Sequence, residues 1–397
     1  MLWRMPRSRE IALLLFLLGA LTACEEADPL PTTEPLIEAV EGMFDQDQFA
    51  TLGLPVIAGE NVTLYRATAE GYKFCHHANI GVFENRLYAM WSNGIEHEDY
   101  NGQRVLYSTS GDGLNWSEPS TLAPDPEGLK GPATCVATGF RTAGEVLVAY
   151  YTVVRGDPGS TSFSLYAKSS KDGSVWGEEL EIATGSFLEA PRVLRSGDLL
   201  LNGQSNLKQP RLLYSRQDDG TSGWQEGSLP ETADLRYPEP TWFQRRDGVV
   251  VMLFRSENSN PWLYASTSRD DGLTWTLPAQ TNFPDATARS FAGNLPDGSA
   301  FIINNPNQSP GSVYDFIGRR VPLTVSLSQD GVTFDRAFVV RGEDTTMRFP
   351  GENKLPGWQY PGATVYGDHL YVVYSINKED VGLTRIRISD LVTSSSD

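Results

Sequence analysis

Ser268-Arg269-Asp270-Asp271-Gly272-Leu273-Thr274-Trp275 reads as a tight turn between two strands. Asp and Gly supply the turn chemistry, Ser and Thr hydroxyls bond nearby backbone groups, and the Trp packs the turn down. Two shortened copies are Ser110-Gly111-Asp112-Gly113-Leu114-Asn115-Trp116 and Ser170-Lys171-Asp172-Gly173-Ser174-Val175-Trp176. Ser328-Gln329-Asp330-Gly331-Val332-Thr333-Phe334 puts Phe in the Trp position, and a looser version uses Ser215, Asp218, Gly220 and Trp224. The closing aromatics, Trp116, Trp176, Trp224, Trp275 and Phe334, are spaced 48 to 60 residues apart. A self-similar unit of roughly 50 residues is the sequence mark of a propeller or a solenoid.

Working outward, each turn follows three short runs that alternate or are continuously apolar, bounded by Gly, Asp, Asn or Pro, as strands are. A fourth run follows the turn. Six such units begin near residues 74, 134, 187, 239, 290 and 360. No segment sustains a helical period, and 37 Gly with 25 Pro suit many short strands. The sixth unit lacks its fourth strand, while Val62-Thr63-Leu64-Tyr65-Arg66 precedes the first unit without a partner. Ring closure joins the two and removes the exposed sheet edges. The expected fold is all-β: a six-bladed β-propeller of four-stranded antiparallel blades over residues 49–397, closed by an N-terminal strand.

The first 23 residues read as a leader. Arg4, Arg7 and Arg9 precede the apolar run 11–18, and Leu21-Thr22-Ala23-Cys24 has the form of a bacterial lipobox. The run is too short to span a bilayer, so lipidation of Cys24 is the expected membrane attachment, in a bacterial cell envelope. Residues 24–48, acidic and then Pro-rich, read as a disordered tether. Removing the leader takes the net charge from −18 to −20. Such a surface repels nucleic acid, and any site for an acidic sugar needs a local cluster of Arg. Cys75 and Cys135, in an exported chain, form either a disulfide or two buried thiols. No zinc-spaced ligand set or acidic calcium loop is evident, so no metal or cofactor is expected.

Ser-x-Asp-x-Gly-x-Thr-Trp is the Asp-box, and the chain resembles the sialidase superfamily on five such turns in register. That resemblance implies a glycan substrate, a carboxylate gripped by Arg, a Tyr nucleophile paired with Glu, and an Asp acid/base. Matched by position, Tyr360 opens the last blade as the nucleophile, and Glu239 opens the fourth as its base. Arg66, Arg255 and Arg320 are the candidate clamp. Asp99, in the loop Glu96-His97-Glu98-Asp99, is the candidate acid, and Tyr237 lies beside Glu239 as a substrate contact. Arg forks suit a planar carboxylate, and a phenol needs a neighbouring carboxylate to act as a nucleophile.

A second resemblance is to propeller polysaccharide lyases of uronate glycans, such as ulvan lyases. It rests on His77 and His97, 20 residues apart, with Tyr150 or Tyr151 and Arg192 as helpers. There, imidazoles of near-neutral pKa move the protons. A third reading is a non-catalytic Asp-box propeller that binds glycan or a protein partner.

Overall fold

The structure, a computed structural model, describes residues 35–126, 133–156, 161–257, 260–310 and 318–392. The leader, Cys24 and the first part of the tether lie outside the described residues. No described helix is long and apolar enough to cross a membrane.

Six antiparallel sheets follow one another along the chain. Blade I comprises Phe74–Phe83, Arg86–Gly94, Arg104–Ser110 and Ser120–Ala123. Blade II comprises Ala133–Ala143, Val146–Arg155, Ser162–Ser170 and Leu180–Thr184. In blade III the first strand is broken into Ser186–Phe187 and Arg192–Val193, both paired with Leu199–Gln204, before Pro210–Ser215 and Gln225–Glu226. Blade IV has Thr241–Gln244, Val250–Phe254, Trp262–Ser268 and Ala279–Pro284, and blade V Phe291–Asn294, Ala300–Asn304, Leu323–Ser328 and Arg336–Arg341. Blade VI pairs Trp358–Tyr366, His369–Ile376 and Asp380–Arg387 with the early strand Glu60–Tyr65, which closes the ring.

Both faces of each sheet pack against a neighbour, and the sequence shows it: every residue of Val250–Phe254 is buried, as strands covered on two sides require. The apolar side chains form six clusters, one at each blade interface.

The repeated turns supply the register between blades. In the turn of blade IV, Gly272 N donates to Ser268 Oγ at 2.9 Å, Thr274 N to Asp270 Oδ1 at 2.9 Å, and Trp275 Nε1 to the Gly272 carbonyl at 3.0 Å. The turn glycine then presses on the preceding blade. A Cβ on Gly173 would lie 2.0 Å from Tyr88 Oη, and one on Gly113 would lie 2.2 Å from Tyr371 Cε1. Only glycine fits there, and both positions also have positive φ. In the degenerate third turn Asp219, not Asp218, takes the capping role, accepting from Thr221 N at 2.6 Å and Ser222 N at 2.8 Å.

Residues 35–48 are not the free tether the sequence suggested. Glu38–Ala39 pairs in parallel with Thr333–Phe334, and Ile37 and Ala39 are buried in the cluster between blades IV and V, with Met43 and Phe44 against it. The apolar side chains Ile37, Met43 and Phe44 outweigh the acidic, loop-like composition of this stretch. Cys75 and Cys135 are buried free thiols.

Candidate active site at the hub

The first strands begin, and the second strands end, at one end of the wheel, and backbone irregularity concentrates there. Register shifts between Gln359 and Gly362 in blade VI and between His76 and Asn79 in blade I. Such bulges re-aim side chains beside functional sites. Tyr360 and His77 both have φ of 55°, and Tyr237 (51°), Glu239 (38°), Thr287 (54°) and Asp99 (55°) share the left-handed backbone. For residues with a Cβ this costs on the order of 1–3 kcal/mol each and persists only where packing imposes it.

Tyr360 is central. Its hydroxyl donates to Glu239 Oε1 at 2.8 Å and accepts from Arg255 Nη1 at 3.1 Å. Arg255 immediately follows Val250–Phe254, and all five of its N–H groups are engaged. Nε donates to the Tyr237 carbonyl at 3.0 Å and Nη1 to the Thr287 carbonyl at 3.1 Å as well as to Tyr360. Nη2 meets Glu239 at 3.0 Å and Glu257 at 2.9 Å. Arg320 is less committed. It bonds Gln359 through Nη1 and reaches the Thr287 carbonyl at 3.5 Å, while its buried Nε has no protein partner among the described residues.

Two imidazoles and an ammonium complete the wall. The ring centroids of His76 and His77 lie 3.9 Å and 5.5 Å from that of Tyr360. Buried serines fix both rings: His76 Nδ1 is 2.8 Å from Ser375 Oγ, and His77 Nδ1 is 3.1 Å from Ser92 Oγ. Lys378 Nζ donates to Glu98 Oε2 at 2.5 Å and to the Asn353 carbonyl at 2.9 Å.

Burial sets the protonation states. It raises the Tyr360 phenol well above its ordinary value, with Arg255 and Arg320 opposing and Glu239 adding. Burial also raises Glu239, against the pull of Arg255. His76 and His77 are held well below the usual imidazole range by burial and then by Lys378, so both are neutral. Asp99 is exposed to solvent, yet the protein packed behind its carboxyl and then the Glu98 charge raise it to about 6. Asp285, buried behind the arginines, is pushed up by burial to about 7.

Below this level the hub is closed by ion pairs. Glu189 meets Arg289 at 3.4 Å and Arg192 at 3.1 Å. Arg192 also donates to the carbonyls of Ala292 and Trp242, each at 2.7 Å.

His76, His77 and Glu98 each bring one ligand atom within 4.8 Å of the others. The Glu98 carboxylate is already neutralised by Lys378, and Arg289 and Arg320 add positive potential. The cluster therefore suits an anion or a hydroxyl better than a dication.

The structure brings together Tyr360, Glu239, Arg255, Arg320 and His77. Tyr237 joins them at the rim, its carbonyl on Arg255. Asp99 lies on the same side: the charge of Lys208 acts on both Asp99 and Glu239. Four expectations are corrected. Arg66 is exposed, and its charge acts on Asp380, because the closing strand is the outermost of blade VI, farthest from the hub. His97 turns to the loop at residues 351–352, accepting from Glu352 N at 3.0 Å, so it does not pair with His77. Arg192 pairs opposite Leu200, near the start of the second strand and so at the other end of blade III. Tyr150 is buried on Gly220 and Tyr151 bonds Glu179, both away from the site. Sequence reasoning missed Lys378, Glu98 and Glu257. The signal was available: Lys378 follows the second strand of blade VI much as Arg255 follows that of blade IV.

The BNR repeat-like domain matches residues 85–372, most of the chain. With its six blades and Asp-box turns, the chain belongs to this family and is a BNR-repeat propeller of the sialidase superfamily. No curated protein matches it. Among solved structures, a protein titled sialidase is 21% identical with a TM-score of 0.66, over 89% of this chain and 35% of the other. This chain thus spans about a third of that protein's length. The leech intramolecular trans-sialidase aligns at 11% identity and TM-score 0.63, over 85% and 71%. A protein of unknown function from Dyadobacter fermentans aligns at 15% identity and TM-score 0.64, over 83% and 98%. These likenesses concern the fold.

Proposed function

We propose that this propeller is a retaining exo-glycosidase that removes a terminal acidic sugar, of the sialic acid kind, from glycans. The observation that carries the reading is the Tyr360–Glu239 hydrogen bond of 2.8 Å with Arg255 on the same hydroxyl. Glu239 takes the phenolic proton as Tyr360 Oη bonds to the anomeric carbon and the glycosidic C–O bond breaks. Arg255 stabilises the charge that develops on the phenolic oxygen. Asp99, protonated below about pH 6, gives its proton to the leaving oxygen. Water then attacks the anomeric carbon from the face the leaving group vacated, giving a proton to Asp99 as the bond to Tyr360 Oη breaks, and Glu239 returns its proton to the phenolate, with net retention. Arg320, with donors to spare, faces the carboxylate.

The test is turnover of methylumbelliferyl α-sialoside by wild type and Tyr360→Phe, with the product anomer followed by NMR. Release of the α-anomer by wild type, abolished in the variant, supports the reading. An unsaturated uronate released from uronate glycans, lost in His77→Ala, would establish the lyase instead. Its case is weakened by the separation of His97 from His77 and by an imidazole held weakly basic. Glycan retention with no turnover on either substrate would leave a binding module. The leader adds that the enzyme is exported and lipid-anchored, so Cys24→Ser should release it from the membrane fraction.

A further inference from the structure

We infer that Lys378 is the third cation of the acid-sugar site, and that it receives the substrate's carboxylate together with Arg320. This rests on the glycosidase reading above.

Three cationic groups surround one ring. The charged ends of Arg320, Lys378 and Arg255 lie 5.3, 5.8 and 5.9 Å from the Tyr360 centroid. Their remaining capacity differs. Arg255 is balanced by Glu239 and Glu257 and has no N–H left. Arg320 forms no ion pair among the described residues and keeps N–H groups without partners. Among the described residues Lys378 uses two of its three donors, on Glu98 and Asn353. Its side chain is buried, and a buried ammonium with one counterion beside an unbalanced guanidinium is costly without an anion. A carboxylate between Arg320 and Lys378 supplies that anion.

The neighbours fit the same occupant. His76 is fully buried, and its Nε2, 3.7 Å from Glu98 Oε1, has no hydrogen-bond partner among the described residues. Its Nδ1 is held by Ser375, so the ring stands as a neutral, fixed wall that adds no competing charge. Arg66, which sequence position suggested for the third cation, lies away from the hub at the rim of blade VI.

The experiment is calorimetric binding of DANA, an unsaturated sialic acid, and of its methyl ester to wild type, Lys378→Gln, Lys378→Met and Lys378→Arg. Lys378→Gln keeps a donor for Glu98 and Asn353, and melting curves establish that each variant is folded. The inference expects Gln and Met to weaken the acid about 10- to 100-fold while changing the ester less than about threefold, with Arg restoring the preference for acid. Acid binding within about threefold of wild type in the Gln and Met variants, or equal losses of acid and ester, overturns it while leaving the glycosidase intact. A wild type that neither binds DANA nor turns over sialoside overturns the functional reading itself.

Discussion

The hydroxyl of Tyr360 lies 2.8 Å from the carboxylate of Glu239, a residue 121 positions earlier in the chain. Blade closure creates that contact, and left-handed backbone at both residues aims it. Two substitutions test it. Tyr360→Phe removes the oxygen proposed as nucleophile and should abolish turnover. Glu239→Gln removes the proposed base and should lower kcat roughly 10²- to 10⁴-fold with KM little changed. Equal loss of binding in both variants would point to a structural role.

As the proposed acid, Asp99 should set the pH dependence. Its carboxyl is raised to about 6, and it must be protonated to act as an acid, so kcat/KM should fall about tenfold per unit above pH 6. Asp99→Asn should be slow and should lose this descending limb. A wild-type profile flat from pH 5 to 8 would exclude Asp99 from the role.

Asp285 makes an opposite kind of statement, about stability. Burial raises it from 3.8 to about 7, so the folded state prefers the protonated form. Its contribution is complete below pH 4 and lost as pH rises towards 7. Asp285→Asn should therefore stabilise the protein at pH 8, by up to about 4 kcal/mol on the linkage relation, with the gain shrinking towards pH 4. Melting temperatures at the two pH values check this. An equal effect at both would mean that Asp285 does not titrate in this range.

Asp270 lies on the outer turn and should affect folding alone. Its carboxylate caps Thr274 N at 2.9 Å and also bonds the Thr274 hydroxyl, at 2.5 Å. Asp270→Ala should cost about 1–2 kcal/mol in denaturant titration and leave kcat/KM within twofold. A drop in activity without a drop in stability would contradict the separation of rim from hub.

The wheel was legible because its repeat is local: turn chemistry and period-two runs repeat every 48 to 60 residues. Ring closure was legible from one strand too many at one end and one too few at the other. Tyr360, Glu239, Arg255 and Arg320 could be placed because each lies within three residues of a strand end. Arg66 was misplaced because sequence order does not reveal that the closing strand is outermost. His97 was misplaced because a loop residue's direction depends on what packs against it, here residues 351–352. Lys378 was overlooked because a turn lysine looks like a solvated one until its counterion, Glu98, arrives from 280 residues away.

The most direct measurement is mass spectrometry after incubation with a fluorinated sialosyl donor, whose ring fluorine slows breakdown of a covalent intermediate. One glycosyl adduct per chain is expected, mapped to Tyr360 and absent from Tyr360→Phe. An adduct on another residue, or turnover of the parent sialoside by the Phe variant at the wild-type rate, would contradict it.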